Sequence, residues 1–434
     1  MSRPDNHIHG ASDNGSRAWS GPRGPGPSSP NARSQRALFA NNTGLTPPRG
    51  PRRPREKSEE RGRGAAPCEN PAVSLRAAIT LEQSWHRVPG GTAVAALGLV
   101  RALTKRPGLE PIGVAARHAG PAPGPWRPAI PVRHLSLPRL ALYESWHRLR
   151  RPRVQKATGA VDVIHATTMA IPPHSAPLLV TIHDLAWRRW PQMFTKRGVS
   201  FFRRGLDLAM AEADLVLCSS EATLRDCFEA GFDETKLRLV PLGVEMAPAD
   251  EADVQRARVA YELDRPYVLW TGTIEPRKNL SGLVDAFVRL DADLDLVLVG
   301  PRGWNQDLDG IAHRVRDRVR MLGFVPASDL GPLYAGAEVF CFPSLLEGFG
   351  FPVLEAMSQG TVVVTSRGTS TEELAAGAAV LIDPLDAGSI AEGLEQALDP
   401  ALRARLEPLG RARAASFTWE RSAELVASAY EEVA

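Results

Sequence analysis

From Val73 onward, short runs of aliphatic and β-branched residues alternate with stretches of helical periodicity. A strand buried on both faces reads as a continuous apolar run, and helices between such runs cover both faces of a parallel sheet. The alternation therefore predicts an α/β protein built on doubly wound parallel sheets. In the first half the strand segments are SLRAAIT (74–80), IGVAA (112–116), DVIHAT (162–167), LLVTIHD (178–184), LVLCSS (215–220) and LRLVPLG (237–243). A polar stretch over 245–265 then breaks the pattern and holds one short helix. The alternation resumes with YVLWTG (267–272), LDLVLVG (294–300), VRMLGF (319–324), EVFCFPS (338–344), TVVVTS (361–366) and AVLID (379–383). The break predicts two domains, 73–250 and 251–416, and a chain of 434 residues is long enough for two buried cores. Paired domains of this kind place a ligand site in the cleft between them.

Residues 1–72 are a different material, rich in Pro, Gly, Ser, Asn and Arg with almost no aliphatic periodicity, and are read as a disordered basic tail. The tail holds twelve Lys and Arg against six Asp and Glu, so a chain of formal charge +3 leaves −3 on the folded part. With only Trp19 and Phe39 set among these cations for base stacking, a nucleic-acid partner is not expected. Cys68, Cys218, Cys227 and Cys341 are too few and too irregular for a disulfide framework or a zinc site, and are read as reduced thiols. The longest apolar run, Ala93 to Val100, falls far short of a membrane span, and no signal-peptide pattern opens the chain. The expectation is a cytoplasmic protein whose membrane contact, if any, is peripheral.

The most informative segment is SLLEGFGFPVLEAMSQG (344–360), directly after a predicted strand. Gly348 and Gly350 allow close backbone approach to a ligand, Pro352 suits the first helical position and Gly360 the helix end. Free N–H groups at such a helix start favour a phosphate. Glu347 and Glu355, eight residues apart, flank that position, and carboxylates accept hydrogen bonds from sugar hydroxyls. Upstream, TGTIEPRKN (271–279) places the cations Arg277 and Lys278 after a strand end, before Asn279 as a helix N-cap. In the first half, Gly90 and Gly91 sit between a strand and a helix, and His183 and Asp184 close a parallel strand, where ligand-binding residues gather. A basic amphipathic helix is read over 137–156, with Leu140, Leu142, Tyr143, Trp146 and Leu149 on its apolar face and His147, Arg148, Arg150, Arg151 and Arg153 at its basic end. It fits an anionic membrane or lipid-linked acceptor, or a core-facing helix with a solvated end.

The E-x7-E spacing around G-F-G-F-P, with TGTIEPRKNLSGLVDAF, LVGPRGW, LGFVPASDLGPLYAGAEVFCFPS and TSTEELAAGAAVLIDP in order around it, resembles the retaining sugar-nucleotide glycosyltransferases of family four. The resemblance spans 73–434 and implies the GT-B fold, two Rossmann-like domains with the donor on the second and the acceptor on the first. It implies that Glu355 binds the ribose hydroxyls, and that Glu347 with the backbone of Phe349, Gly350 and Phe351 holds the donor sugar and phosphate. It further implies that Lys278 meets the diphosphate, that Gly90 and Gly91 let the backbone reach the diphosphate or the acceptor, and that His183 faces the sugar. Many relatives carry Arg directly after the glycine corresponding to Gly272. Here Thr273 stands there, and Arg277 is the substitute cation. The segment 417–434 reads as a helix that crosses back onto the first domain.

Together these imply a retaining transferase without a cofactor, moving a sugar, first choice mannose from GDP-mannose, to a saccharide or lipid-linked acceptor in cell-envelope polysaccharide or glycolipid synthesis. No DxD-type metal site stands near the Glu motif, so cations and helix dipoles must stabilise the leaving diphosphate. The rivals are a noncatalytic nucleotide-sugar scaffold, or another GT-B enzyme such as a glycogen synthase-like transferase or a sugar-nucleotide epimerase. Intact Lys278, Glu347 and Glu355 argue against the scaffold, and the lack of long insertions against the synthase. Deleting 1–72 is expected to leave the melting temperature nearly unchanged, since that segment can contribute little buried apolar area; a large drop would show that it packs.

Overall fold

The computed structural model describes residues 74–301 and 318–434. The tail over 1–72, Cys68 and the end of the LVGPRGW segment lie outside the described residues.

Two all-parallel sheets organise the chain. The first contains β1 (Leu75–Thr80), β2 (Leu109–Ala115), β3 (Val132–His134), β4 (Val163–Ala166), β5 (Leu178–Ile182), β6 (Leu215–Cys218) and β7 (Leu237–Leu239), in the order β3-β2-β1-β4-β5-β6-β7. The second contains β8 (Tyr267–Thr271), β9 (Asp295–Val299), β10 (Val319–Gly323), β11 (Val339–Phe342), β12 (Val363–Ser366) and β13 (Val380–Ile382), in the order β10-β9-β8-β11-β12-β13. The strand order reverses beside β1 in the first sheet and beside β8 in the second. Loops leaving the strand ends there diverge and open a crevice.

Each strand segment read from the sequence is a strand, most of them shortened at their ends, whereas β2 starts three residues earlier than read, at Leu109. β3 was missed because it is a three-residue edge strand behind Pro131, too short to carry a period, and it pairs only through Gly113–Ala115. The helices that matter below are α1 (Gly90–Leu103), α2 (Arg139–Leu149), α3 (Lys196–Glu212), α4 (Glu221–Ala230), α5 (Glu251–Ala260), α6 (Leu280–Arg289), α7 (Ala327–Ala335), α8 (Phe351–Gln359), α9 (Ser370–Ala375), α10 (Ala387–Leu398), α11 (Pro400–Ala415) and α12 (Trp419–Val433). Asp250 starts α5 with a capping box closed by Asp253.

The basic helix differs from its sequence reading. It ends at Leu149, with Arg150 in the left-handed region at φ 51°. Only Leu142 and Trp146 of its apolar face are fully buried, while Leu140 and Leu149 face solvent. His147, expected at the basic end, is buried with Nε2 donating to the Met169 carbonyl at 3.0 Å, and burial lowers its pKa to about 4. The Arg150 guanidinium donates to the carbonyls of Trp146, Ile171 and Pro172 and pairs with Glu212. Helical periodicity could not show that the chain folds back over these two side chains. Arg148, Arg151 and Arg153 remain exposed.

α12 packs along α1. Trp419 is buried over Gly98, where a Cβ would lie 2.3 Å from the indole ring. Further along, the Tyr430 hydroxyl meets His165 Nδ1 at 2.8 Å, and His165 Nε2 meets Thr181 Oγ1 at 2.7 Å. Burial, followed by nearby His183, pushes the His165 pKa down to about 3, so it is a neutral core histidine. Gly98→Ala would gain about 1 kcal/mol of helix propensity, yet the contact with Trp419 costs about 1 to 3 kcal/mol of overpacking. The variant is expected to unfold at lower urea concentration than wild type; a higher midpoint would show that Trp419 moves aside freely.

Candidate active site

The loops after β8 and β11 meet at the second sheet's switch point. A backbone bond from Leu345 N–H to the Arg277 carbonyl, 2.9 Å, ties them together. Above it lies a buried charge cluster. Lys278 Nζ donates to Glu347 Oε1 at 2.7 Å, and an Arg277 terminal nitrogen lies 2.9 Å from Glu347 Oε2. The other Arg277 terminal nitrogen donates to Glu275 at 2.6 Å, and the first also donates to the Leu346 carbonyl. The Lys278 ammonium sits 4.8 Å over the Phe342 ring. Two cations and two carboxylates thus balance each other with little access to water, a geometry in which every member needs its partners.

Burial alone would raise the Glu347 carboxyl, but Arg277 and Lys278 outweigh it and hold its pKa at about 2. Lys278 moves below the usual lysine range, because burial and then the neighbouring Arg277 act against its charge more than Glu347 supports it. An anion arriving here would favour the charged ammonium.

Glu355 belongs to a second network. Tyr334 donates its hydroxyl to Glu355 Oε2 at 2.9 Å, so its oxygen accepts from Thr271 Oγ1 at 2.7 Å. Burial raises the Glu355 pKa, and the tyrosine bond partly opposes that. Gly272 and Thr273, both half-buried, continue β8 next to Thr271, and a Cβ on Gly272 would lie 3.8 Å from Lys278 Cε. Asn279 departs from expectation: at φ 54° its side chain donates to the Pro384 carbonyl at 2.6 Å and does not cap α6. α8 begins at Phe351, one residue before Pro352, behind Gly350 at φ 119°.

The first domain reaches the same loop. A Cβ on Gly91 would lie 3.6 Å from the Phe351 ring, which meets Phe349 edge to face at 5.2 Å. His183 Nε2 donates to the Thr167 carbonyl at 3.1 Å, which leaves Nδ1 as the acceptor; burial lowers the His183 pKa, so the ring is neutral. Gly348 lies against His183. A Cβ on Gly348 would stand 1.9 Å from the His183 carbonyl oxygen, so close packing on the first domain, rather than approach of a ligand, dictates this glycine. Its carbonyl accepts from Ser219 and Ser220. The structure therefore brings Arg277, Lys278 and Glu347 into direct contact and sets Glu355 on a separate relay. Tyr334, Glu275, Ser219 and Ser220 escaped sequence reading. The two serines do end a predicted strand, but hydroxyls at strand ends are too common to single out, and Tyr334 lies 21 residues before its partner.

Among the described residues no helix is long and apolar enough to cross a membrane. A family model described as "Glycosyl transferases group 1" matches residues 252–413, and one described as "Glycosyltransferase Family 4" matches 89–247. The chain is 32% identical over 301 residues to the O-antigen chain mannosyltransferase B of Escherichia coli, covering 66% of this chain and 79% of that protein. It is 29% identical over 301 residues to the MMP alpha-(1->4)-mannosyltransferase of Mycolicibacterium hassiacum, covering 63% of this chain and 71% of the other. Anabaena HepE, whose crystal structure holds UDP and glucose, superposes with a TM-score of 0.64 at 18% identity, covering 82% of this chain and all of that one. The crevice between two parallel sheets and the family matches on both halves agree: this chain is a glycosyltransferase of family four, a retaining hexosyltransferase family, with the GT-B fold.

Proposed function

We propose that the enzyme transfers mannose from GDP-mannose to a hydroxyl of a saccharide or lipid-linked acceptor during cell-envelope polysaccharide or glycolipid assembly. The observation that carries the donor site is the buried Lys278–Glu347–Arg277 cluster at the mouth of β8 and β11, beside the start of α8. The mannosyltransferase names of the relatives support the choice of sugar. In this reading the second domain holds the donor and the first the acceptor. Lys278 turns its ammonium to the diphosphate, with the N–H groups of Gly350 and Phe351 adding the field of a helix start. Glu355 takes the ribose hydroxyls. Glu347 takes the sugar, with His183 across the cleft. Arg277 was expected at the diphosphate; its terminal nitrogens are engaged by Glu275, Glu347 and the Leu346 carbonyl, so we assign it to orienting Glu347.

The bond from the anomeric carbon to the diphosphate oxygen breaks as the acceptor oxygen bonds to that carbon on the same face. The acceptor proton passes to the departing phosphate oxygen, and configuration is retained. Lys278 acts as that charge develops, in a site with little water to screen it. Exposed Leu140 and Leu149, with Arg148, Arg151 and Arg153 nearby, support a lipid-linked acceptor presented at an anionic surface.

A thermal-shift screen of GDP-, UDP-, dTDP- and ADP-sugars, followed by transfer assays, tests the donor; preferential stabilisation by a donor other than GDP-mannose would replace it. Lys278→Ala is expected to lose turnover equivalent to about 2 to 4 kcal/mol. Glu355→Ala should chiefly weaken nucleotide binding, and Glu347→Ala should spare free diphosphate binding but impair use of the sugar donor. Isothermal titration and transfer rates for the three, with and without excess EDTA, separate these roles; normal turnover in Lys278→Ala, or activity abolished by chelator, would overturn the mechanism. Only the ammonium form of Lys278 attracts the diphosphate, so affinity should fall as pH rises, with a midpoint below 10.5 because its pKa is lowered. Titrating the free diphosphate across alkaline pH checks this, and Lys278→Ala should flatten the profile.

A further inference from the structure

The loop that carries Glu347 is not held by its own domain alone. The Gly348 carbonyl oxygen lies 2.7 Å from Ser220 Oγ, 3.1 Å from Ser219 Oγ and 3.2 Å from Thr223 Oγ1. Thr223 Oγ1 also lies 2.9 Å from the His183 carbonyl. Each hydroxyl has one proton and a carbonyl oxygen two acceptor sites. Ser219 and Ser220 therefore fill Gly348, and Thr223 donates to His183, the carbonyl on which the Gly348 backbone rests. From the other side Ser370 Oγ reaches the Glu347 carbonyl at 2.8 Å and the Phe349 carbonyl at 2.7 Å. All four hydroxyl residues are buried, so bonds lost here are not replaced by water at no cost.

A second tie joins the same elements. The Glu373 carboxylate on α9 accepts from the Glu221 and Ala222 N–H groups, 3.0 and 3.3 Å, at the start of α4. α9 thus braces the Glu347 loop through Ser370 and grips the first domain through Glu373. Domain-domain glue alone would not require the bonds to converge on the single peptide next to Glu347.

We propose that Ser219 and Ser220, supplied by the first domain, are positioning residues for the sugar end of the donor: they fix the Gly348 peptide, and through it the Glu347 carboxylate, so the sugar subsite is complete only when the two domains are together. The inference rests on the donor reading of Glu347 given above. Lys278, Glu355 and Tyr334 all belong to the second domain, so binding of the free nucleoside diphosphate does not need this brace.

The test uses the full chain with GDP and GDP-mannose, and with UDP and UDP-glucose in parallel, and carries forward the pair that wild type binds. Ser219→Ala removes one donor while Ser220 goes on capping α4 through its bond from Thr223 N–H. Gly348→Ala attacks the brace from the other side, where its Cβ meets the His183 carbonyl. Both variants are expected to bind the free diphosphate within about twofold of wild type, and to hydrolyse the sugar donor about tenfold more slowly, the scale of a small misplacement. Ser219→Thr keeps the hydroxyl that donates to the Gly348 carbonyl, so it should recover the rate. Wild-type hydrolysis rates in both variants, or parallel losses of diphosphate affinity and rate, overturn the proposal while leaving the donor site intact. A wild type that binds neither pair overturns the donor reading itself, and this inference with it.

Discussion

Four charges share a space largely shielded from water, and the architecture around the cleft follows from keeping them paired. Lys278 and Arg277 grip Glu347 from two sides, and Glu275 takes the remaining arm of Arg277. Removing one partner would strand another charge in a low-dielectric pocket, a larger penalty than the bond itself is worth. The cluster therefore demands that the β8 and β11 loops stay in fixed register, which the Leu345 to Arg277 backbone bond enforces. It is also poised: with these charges balanced among themselves, Lys278 is held as a weakened cation that a neighbouring anion would strengthen.

Much of this was legible in the sequence, for identifiable reasons. Continuous apolar runs survive as strands because both faces of each sheet are covered, so the twelve segments read from the sequence all pair, whereas β3 at an exposed edge needed no such run. Glu347, Glu355, Arg277 and Lys278 stand out because charged residues close to strand ends and tight glycine turns have few structural excuses. What the sequence hid is long-range. His147 and Arg150 read as a solvated basic end until the chain at 169–172 is seen to cover them. Asn279 has the chemistry of a helix cap but spends its amide on Pro384, more than a hundred residues away.

The glycines of the Glu347 loop show how one residue type answers different demands. Gly350 is required by a backbone turn at φ 119°, whereas Gly348 is required by the neighbouring domain's carbonyl. Spacing alone assigned both to ligand approach. Only the assembled cleft distinguishes a glycine that turns the chain from one that makes room for a neighbouring domain.

The docking of α12 has a consequence for the order in which the molecule can be built. β1 to β7 leave the ribosome long before α12, which follows the whole second domain in the chain. Until then Gly98 and the α1 face lack Trp419, and the His165 ring lacks its Tyr430 partner. Apolar surface left open during synthesis is the usual route to misassembly. The first domain is thus the first to be made and the last to be finished, and its nascent form must remain soluble with one side of its core uncovered while nearly two hundred further residues are added.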